Sequence, residues 1–388
     1  MIHIGLVGFG AVAFVIKQGF TMITKEYDIH FTIYVRDTSK ILSEYQDIIT
    51  SNDKIIQIGS LEEVDNKQIQ TLFGWIDYLI NTSVPSNNLP MMKIAQSIGA
   101  IYIDLASVIT TDMLGSQSFP QMSYQQAFVD NSLLALINAW VSPGITECII
   151  ADIVTSSWST PRSIAIYLQE HLYTNGALPS RSPITGIEEL TTNPARIENG
   201  QIKTTRPFNR RVKKSISYQD ENEVINIPIS HYPLFQEELM SICQQRPQSE
   251  NICIRTWWGE VEEIKTLIEF GVLSEKESDG IGSKTFKELF ISTLPSAATR
   301  NQIIQWYNQW SIDTIYFWAL IEIEMTNGDT HKALIAFDKE RWTSLQSTPC
   351  RWATYISYPT GIATVCMIDN LIKQWDHSSW VYNALEYA

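Results

Sequence analysis

The chain opens Met1-Ile2-His3-Ile4-Gly5-Leu6-Val7-Gly8-Phe9-Gly10-Ala11-Val12-Ala13-Phe14, and the reading of this stretch decides the fold. His3 to Val7 is an apolar run of strand length, and from Phe14 to Lys25 apolar residues recur at spacings of three and four, the period of a helix. Between them Gly8, Gly10 and Ala13 fill the pattern Gly-x-Gly-x-x-Gly/Ala in the strand-to-helix setting that gives the pattern meaning. Glycines let the backbone turn sharply and approach a pyrophosphate, while the helix N-terminus supplies N–H donors and positive potential. A dinucleotide-binding turn is therefore expected here, in preference to a purely structural one.

Working outward, strand candidates follow at His30–Val35, Lys54–Ile58, Ile76–Asn81, Ala100–Asp104 and Leu133–Trp140, with helices at Ser60–Phe73 and Leu89–Ile98. Short apolar runs alternating with helix-period segments predict an α/β domain over residues 1–143, a doubly wound parallel Rossmann sheet. The second strand ends Val35-Arg36-Asp37. An arginine there pairs with a 2′-phosphate and an acid accepts from a ribose 2′-hydroxyl, so Arg36 favours NADP and Asp37 keeps NAD open. Ligands of such sheets lie beyond the carboxyl ends of the strands. That position selects Thr82, Ser83 and Val84 after the fourth strand, Asp104 after the fifth, and Pro143 and Gly144 after the sixth. Asp104 closes an apolar strand, where an unpaired charge is costly, so it faces either a cofactor crevice or a helix cap. Glu147 falls in the first turn of a predicted helix, where the dipole alone favours an acid.

Past Pro143-Gly144 the texture changes. β-Branched and aromatic runs such as Ser163–Leu168 alternate with polar stretches, notably Pro179–Arg210, predicting a second, mixed α+β domain with long loops over residues 144–350. Its window Lys203–Lys214 holds Lys203, Arg206, Arg210, Arg211, Lys213 and Lys214, which reads as a solvated face or an anion site. Helices are expected at Glu260–Phe270 and Phe286–Leu294, ahead of a Trp-rich region from Trp306 to Trp318. A closing segment, 351–388, reads as a strand at Ala353–Tyr358 and an amphipathic helix at Ile362–Trp375. Trp258 and Glu260 either wall a pocket that holds an ammonium group or form a core tryptophan and a helix start. His171, after Gln169-Glu170 at a strand end, is the histidine best suited by type to proton transfer.

Composition limits the function classes. A formal charge of −14 speaks against nucleic acid; it suits a cationic substrate such as a polyamine, but is equally ordinary for a soluble cytoplasmic protein. No apolar run reaches the roughly 18 residues of a membrane span. Five cysteines without Cys-x-x-Cys spacing fit reduced thiols of a cytoplasmic protein, with neither disulfide framework nor zinc site.

Several stretches carry a resemblance. Asp77-Tyr78-Leu79-Ile80-Asn81-Thr82-Ser83-Val84, then Gly99-Ala100-Ile101-Tyr102-Ile103-Asp104, then Val141-Ser142-Pro143-Gly144-Ile145-Thr146 resemble the saccharopine dehydrogenase superfamily, its homospermidine and carboxynorspermidine synthases included. Ile254-Arg255-Thr256-Trp257-Trp258-Gly259-Glu260 and Pro359-Thr360-Gly361-Ile362-Ala363 are similar to later stretches of its reductases. After Asp104 the chain continues Leu105-Ala106-Ser107-Val108, departing from the acidic-proline-tryptophan continuation of homospermidine synthases. The resemblance implies a Rossmann domain, a discontinuous catalytic and dimerisation domain, and a C-terminal segment that returns to the Rossmann side. It also implies a homodimer, an NADP or NAD cofactor, and a small-molecule amine or amino-acid substrate whose C–N bond is made or cleaved through an imine. A polyamine synthase that keeps NAD bound and an inactive nucleotide-binding regulator are the alternatives. For such chemistry the expected catalytic groups are Asp104, Glu147 and His171, with Arg255, Trp258 and Glu260 holding substrate.

Overall fold

The computed structural model describes residues 1–23, 26–108, 118–174, 183–220, 223–274, 285–294, 299–308, 312–374 and 381–383. The chain divides into two compact units: Met1–Ser156 with Met240–Gln245 and Trp342–Ala388, and Ser157–Leu239 with Arg246–Arg341. The first unit thus runs past residue 143 through a further helix, and its boundary falls at 156.

The first unit is built on strands β1 (Ile2–Val7), β2 (Ile29–Val35), β3 (Lys54–Gln57), β4 (Tyr78–Asn81), β5 (Ile101–Asp104) and β6 (Ala135–Ile137). A further strand, Val381–Asn383, adds to the β6 edge, giving one seven-stranded sheet in the order Val381–Asn383, β6, β5, β4, β1, β2, β3. Every pairing is parallel. Ile4, Leu6, Ile33, Leu79, Ile80, Ile103 and Leu136 are fully buried, as strands covered on both faces require. Helices α1 (Ala11–Ile23), α2 (Thr38–Tyr45), α3 (Asn66–Phe73), α4 (Asn88–Ile98), α5 (Gln125–Asp130) and α6 (Ile145–Ser157) accompany these strands among the described residues. The order reverses between β1 and β4, the switch point at which such sheets bind ligands.

Several boundaries move for local reasons. The sixth strand stops at Ile137 because Asn138 adopts φ 60° and leaves the extended region. The predicted helix Ser60–Phe73 splits, because Asp65 forms a capping box with Gln68 and starts α3 there. Ala353–Tyr358 is not a strand: Thr354 Oγ1 accepts from Ser357 N at 3.0 Å and Ser357 Oγ accepts from Thr354 N at 2.8 Å. These reciprocal bonds nucleate a helix, Ser357–Gln374, that begins five residues ahead of the expected Ile362. Pro359 is accommodated in its first turn, where no helical N–H bond is lost. This helix packs on α1: a Cβ at Gly361 would lie 2.6 Å from Val15 Cβ, and a Cβ at Gly19 would lie 3.1 Å from both Ile362 Cδ1 and Val365 Cγ2. Thr364 Oγ1 ties it to Ala139 O at 2.6 Å.

The second unit carries an eight-stranded mixed sheet. Its path runs Val212–Asp220, Glu223–Leu234, Asn251–Trp258, Pro161–Thr174, Ile312–Met325, Thr330–Phe337, with the hairpin Ala195–Glu198/Gln201–Thr204 attached to Asn251–Trp258. Only Asn251–Trp258 and Pro161–Thr174 pair in parallel. Alternate residues Ile164, Ile166, Leu168, Ile252, Ile254, Ile321 and Ile323 bury one face. The stretch Pro179–Arg210, read as loop, contains the helix Pro183–Thr191 and the hairpin; its residues 179–182 lie outside those described, as do 309–311 of the Trp-rich region. Among the described residues no helix is long and apolar enough to cross a membrane.

Candidate dinucleotide-binding site

The turn that joins β1 to α1 is fixed from both sides. Gly8 N donates to Tyr34 O of β2 at 2.9 Å, and Thr82 Oγ1, past β4, donates to Gly8 O at 2.7 Å. Gly8 has φ 89°, and a Cβ there would lie 2.9 Å from Ser83 Cβ, so both conformation and space demand glycine. Gly10 differs: a Cβ built on it meets nothing within 4 Å, and it is exposed together with Ala11 at the start of α1. That open cradle before free helix N–H groups has the chemistry of a pyrophosphate seat. Ala13 is 1% exposed, which lets α1 pack closely on the sheet.

The loop Thr82-Ser83-Val84 is held by Asn81, a residue the sequence reading passed over. Asn81 Oδ1 accepts from Ser83 N at 3.0 Å and Ser83 Oγ at 2.6 Å, and its Nδ2 donates to Asn88 Oδ1 at 2.6 Å. Asn88 Nδ2 in turn donates to Ala106 O at 2.8 Å, linking the loops after β4 and β5. At the end of β2, Arg36 and Asp37 are both exposed. Asp37 accepts from Ser39 N at 2.9 Å and Ser39 Oγ at 2.6 Å, capping α2. These bonds, the side-chain one foremost, hold its carboxyl below the ordinary range. No hydrogen bond or ion pair engages the Arg36 guanidinium among the described residues.

Beyond β5 and β6 the carboxylates turn inward. Asp104 is wholly buried: Oδ1 accepts from Asn138 N at 2.8 Å, and Oδ2 from Gln121 Nε2 at 3.0 Å and Tyr102 OH at 3.1 Å. Burial pushes its pKa up to about 7 against the opposing pull of these donors. Enclosed in this way, it is placed to position the strand ends and makes no open surface for substrate. Glu147 is also fully buried. Its Oε2 accepts from Gly144 N at 2.7 Å and its Oε1 from Ser241 Oγ, so it staples the turn to α6. Gly144 has φ 126°, and a Cβ there would lie 2.0 Å from Trp140 O, a position open to glycine alone. The Ser142–Pro143 bond within this turn is cis.

The second unit holds the remaining candidates. Trp258, 4% exposed, belongs to a core cluster with Leu190, Tyr232, Leu234 and Val261, which makes the core explanation of this residue the one the packing supports. Glu260 is exposed at the start of the helix Val261–Glu269. Arg255 is half-buried and donates through Nη1 to Arg210 O at 2.8 Å. His171 pairs with Tyr316 across the sheet, and its side chain lies outside what is described. In the basic window Arg210 meets Glu198 at 3.0 Å, while Lys214 pairs with Glu322, the pattern of a solvated strand face. The first unit therefore brings together Gly8, Gly10, Ala13, Arg36, Asp37, Thr82, Ser83 and Val84 around the ends of β1, β2 and β4, and Asp104, Pro143, Gly144 and Glu147 beyond β5 and β6. His171, Arg255, Trp258 and Glu260 belong to the other unit. Gln121, Ser107 and Asn138, which surround Asp104, carry no periodicity that would have marked them; Gln121 lies in a single 3-10 stretch, Pro120–Tyr124.

No family model matches the chain. A carboxyaminopropylagmatine dehydrogenase from Synechocystis sp. is 22% identical over 250 residues, 63% of this chain and 61% of that protein, so the match spans about three fifths of the relative's length. Among solved structures, apo saccharopine dehydrogenase (L-Glu forming) from Saccharomyces cerevisiae aligns with a TM-score of 0.62 at 14% identity, covering 98% of this chain and 94% of that one. Homospermidine synthase from Legionella pneumophila, in complex with NAD, aligns with a TM-score of 0.64 at 12% identity, covering 99% and 86%. The chain has the fold of these two proteins, the same resemblance that its motifs carry.

Proposed function

We propose that the chain is an NADP- or NAD-dependent oxidoreductase that reduces an imine, or oxidises the corresponding secondary amine, in an amino-acid or polyamine conjugate. The observation that carries the reading is the Gly8–Gly10 turn at the head of a doubly wound sheet, with open space over Gly10 at the start of α1, whose first-turn N–H groups have no partner within the helix. The similar proteins support the substrate class: a saccharopine dehydrogenase, a homospermidine synthase with NAD bound and a carboxyaminopropylagmatine dehydrogenase. The nicotinamide, when bound, supplies or accepts the hydride. Gly10 and the first turn of α1 seat its pyrophosphate, Thr82 and Ser83 wall it on the β4 side, and the uncommitted Arg36 guanidinium favours a 2′-phosphate. Asp104 and Glu147 act as positioning residues that hold the strand ends and the Gly144 turn. In the second unit, exposed Glu260 suits an ammonium group and Arg255 a carboxylate, and His171 is the histidine suited by type to proton transfer.

The test is a screen of saccharopine-like conjugates, and of diamines paired with aldehydes, followed at the nicotinamide absorbance with NADPH and NADH. Turnover with one conjugate class and loss of turnover in Gly10→Val are expected. Binding of neither nucleotide would overturn the reading.

A further inference from the structure

Around Asp104 a chain of polar side chains is sealed from solvent: Asp104 and Asn138 are 0% exposed, Gln121 1% and Ser107 4%. Its hydrogen bonds all point outward from Gln121, towards Asp104 on one side and through Ser107 to Asn138 on the other. Gln121 Nε2 donates to Asp104 Oδ2 at 3.0 Å and to Ser107 Oγ at 2.8 Å, and Ser107 Oγ donates to Asn138 Oδ1 at 2.8 Å. Two atoms of the chain are left without partners, Gln121 Oε1 and Asn138 Nδ2. A buried amide atom without a partner costs about 1–3 kcal/mol, so two on one short chain need an explanation.

They are the two atoms that the same chain would use if it ran backwards. An amide turned through half a revolution exchanges NH2 for oxygen with little change in shape. With Gln121 and Asn138 both turned, a protonated Asp104 donates to Gln121 Oε1, Ser107 donates to the same oxygen, and Asn138 Nδ2 donates to Ser107 Oγ. Three links are made in either direction. The only covalent change is one proton from solvent added to Asp104 Oδ2.

We propose that Asp104, Gln121, Ser107 and Asn138 form a reversible hydrogen-bond relay, in which proton uptake by Asp104 turns over the Asn138 side chain at the exit of β6. The ionised form is held by three donors, whereas burial opposes it and lifts the carboxyl to about 7, so both forms are populated near neutrality. Tyr102, on the same strand, is the titratable group that interacts with Asp104 among the described residues; it stays a neutral phenol, since burial and Asp104 push its own pKa well up. From β6 the facing group is the Asn138 N–H, and from the turn Pro120–Tyr124 it is the Gln121 amide; neither titrates. The consequence lies at Asn138, whose carbonyl accepts from Trp140 N at 3.0 Å at the entrance to the Gly144 turn. There the unpaired side-chain atom changes from a donor to an acceptor as Asp104 gains its proton. The inference is independent of the activity proposed above.

The test uses the full chain with nitrogen-15 in its Asn and Gln side-chain amides, the Gln121 and Asn138 signals being assigned by single substitutions. Over roughly pH 5 to 9, the window that brackets a carboxyl lifted to neutrality, both signals should move together with one midpoint. In Asp104→Asn neither should move. In Ser107→Ala, which cuts the relay in the middle, Gln121 should still follow pH while Asn138 no longer does. Signals that stay still in the wild type, separate midpoints, or an Asn138 signal that still titrates in Ser107→Ala would each overturn the relay. Should Asp104→Asn fail to fold, the Ser107→Ala comparison decides alone.

Discussion

Replacing Gly10 and Gly8 in turn separates the seat of the dinucleotide from the structure that supports it. At Gly10 a Cβ meets no atom within 4 Å and φ is not left-handed, so Gly10→Val builds its side chain into empty space. Its effect on folding should stay within about 0.5 kcal/mol, the range of surface substitutions. That is a shift of about 1–2 °C for a unit of this size. The same isopropyl group stands where the pyrophosphate must approach the backbone, and binding should weaken at least tenfold, about 1.4 kcal/mol or more. At Gly8 the conditions are reversed. φ is 89°, and the new Cβ would lie 2.9 Å from Ser83 Cβ and 3.0 Å from Ser83 Cα. Left-handed backbone costs about 1–2 kcal/mol for a residue with a side chain, and displacing a packed neighbour adds about 1–3 kcal/mol. Gly8→Ala should therefore lose about 2–5 kcal/mol of stability along with nucleotide binding. Thermal unfolding followed by circular dichroism, paired with titration of NADPH and NADH fluorescence, reads both quantities. Wild-type affinity in Gly10→Val, or a wild-type melting curve in Gly8→Ala, would refute the reasoning.

Three further outcomes follow from the same geometry. Arg36→Ala should weaken NADPH more than NADH by about 1.5–3 kcal/mol, the range for a hydrogen bond to a charged group; equal losses by titration would show that Arg36 reads no phosphate. Gly361→Ala puts a Cβ 2.6 Å from Val15 Cβ, so despite the roughly 1 kcal/mol by which alanine favours a helix, it should lower the melting temperature, and a rise would contradict the packing of the final helix on α1. Because the folded state raises Asp104 from 3.8 to about 7, it holds the proton more tightly than the unfolded chain. This contribution to stability is present in acid and lost as pH climbs from about 4 towards about 7, with a slope of up to about 1.4 kcal/mol per pH unit. Denaturant unfolding of wild type and Asp104→Asn across that window should show the difference falling with pH and then levelling; a constant difference would contradict it.

The parts of this fold that the sequence announces are those set by local pattern. Apolar runs such as Leu79-Ile80 and Ile101–Ile103 can satisfy their hydrophobicity only in a sheet covered on both sides, and Gly8-x-Gly10 has meaning only between a strand and a helix. What escaped the sequence depends on partners distant along the chain. Nothing near Gly361 tells that Val15 lies 2.6 Å from where its side chain would begin, and nothing near Glu147 points to Ser241. The long antiparallel pairing of Ile312–Met325 with Pro161–Thr174, inside the sheet, joins segments about 150 residues apart, and neither alternates strictly enough to show which residues face the core. Asp104 joins both kinds of information. Its place at the end of an apolar strand was legible and pointed to a cofactor crevice or a helix cap, whereas its partners include Gln121 and Asn138, 17 and 34 residues away, whose donors close over it. An acid at a strand end therefore marks a position worth examining, and the donors that reach it from other elements determine whether it touches a ligand or holds the walls around one.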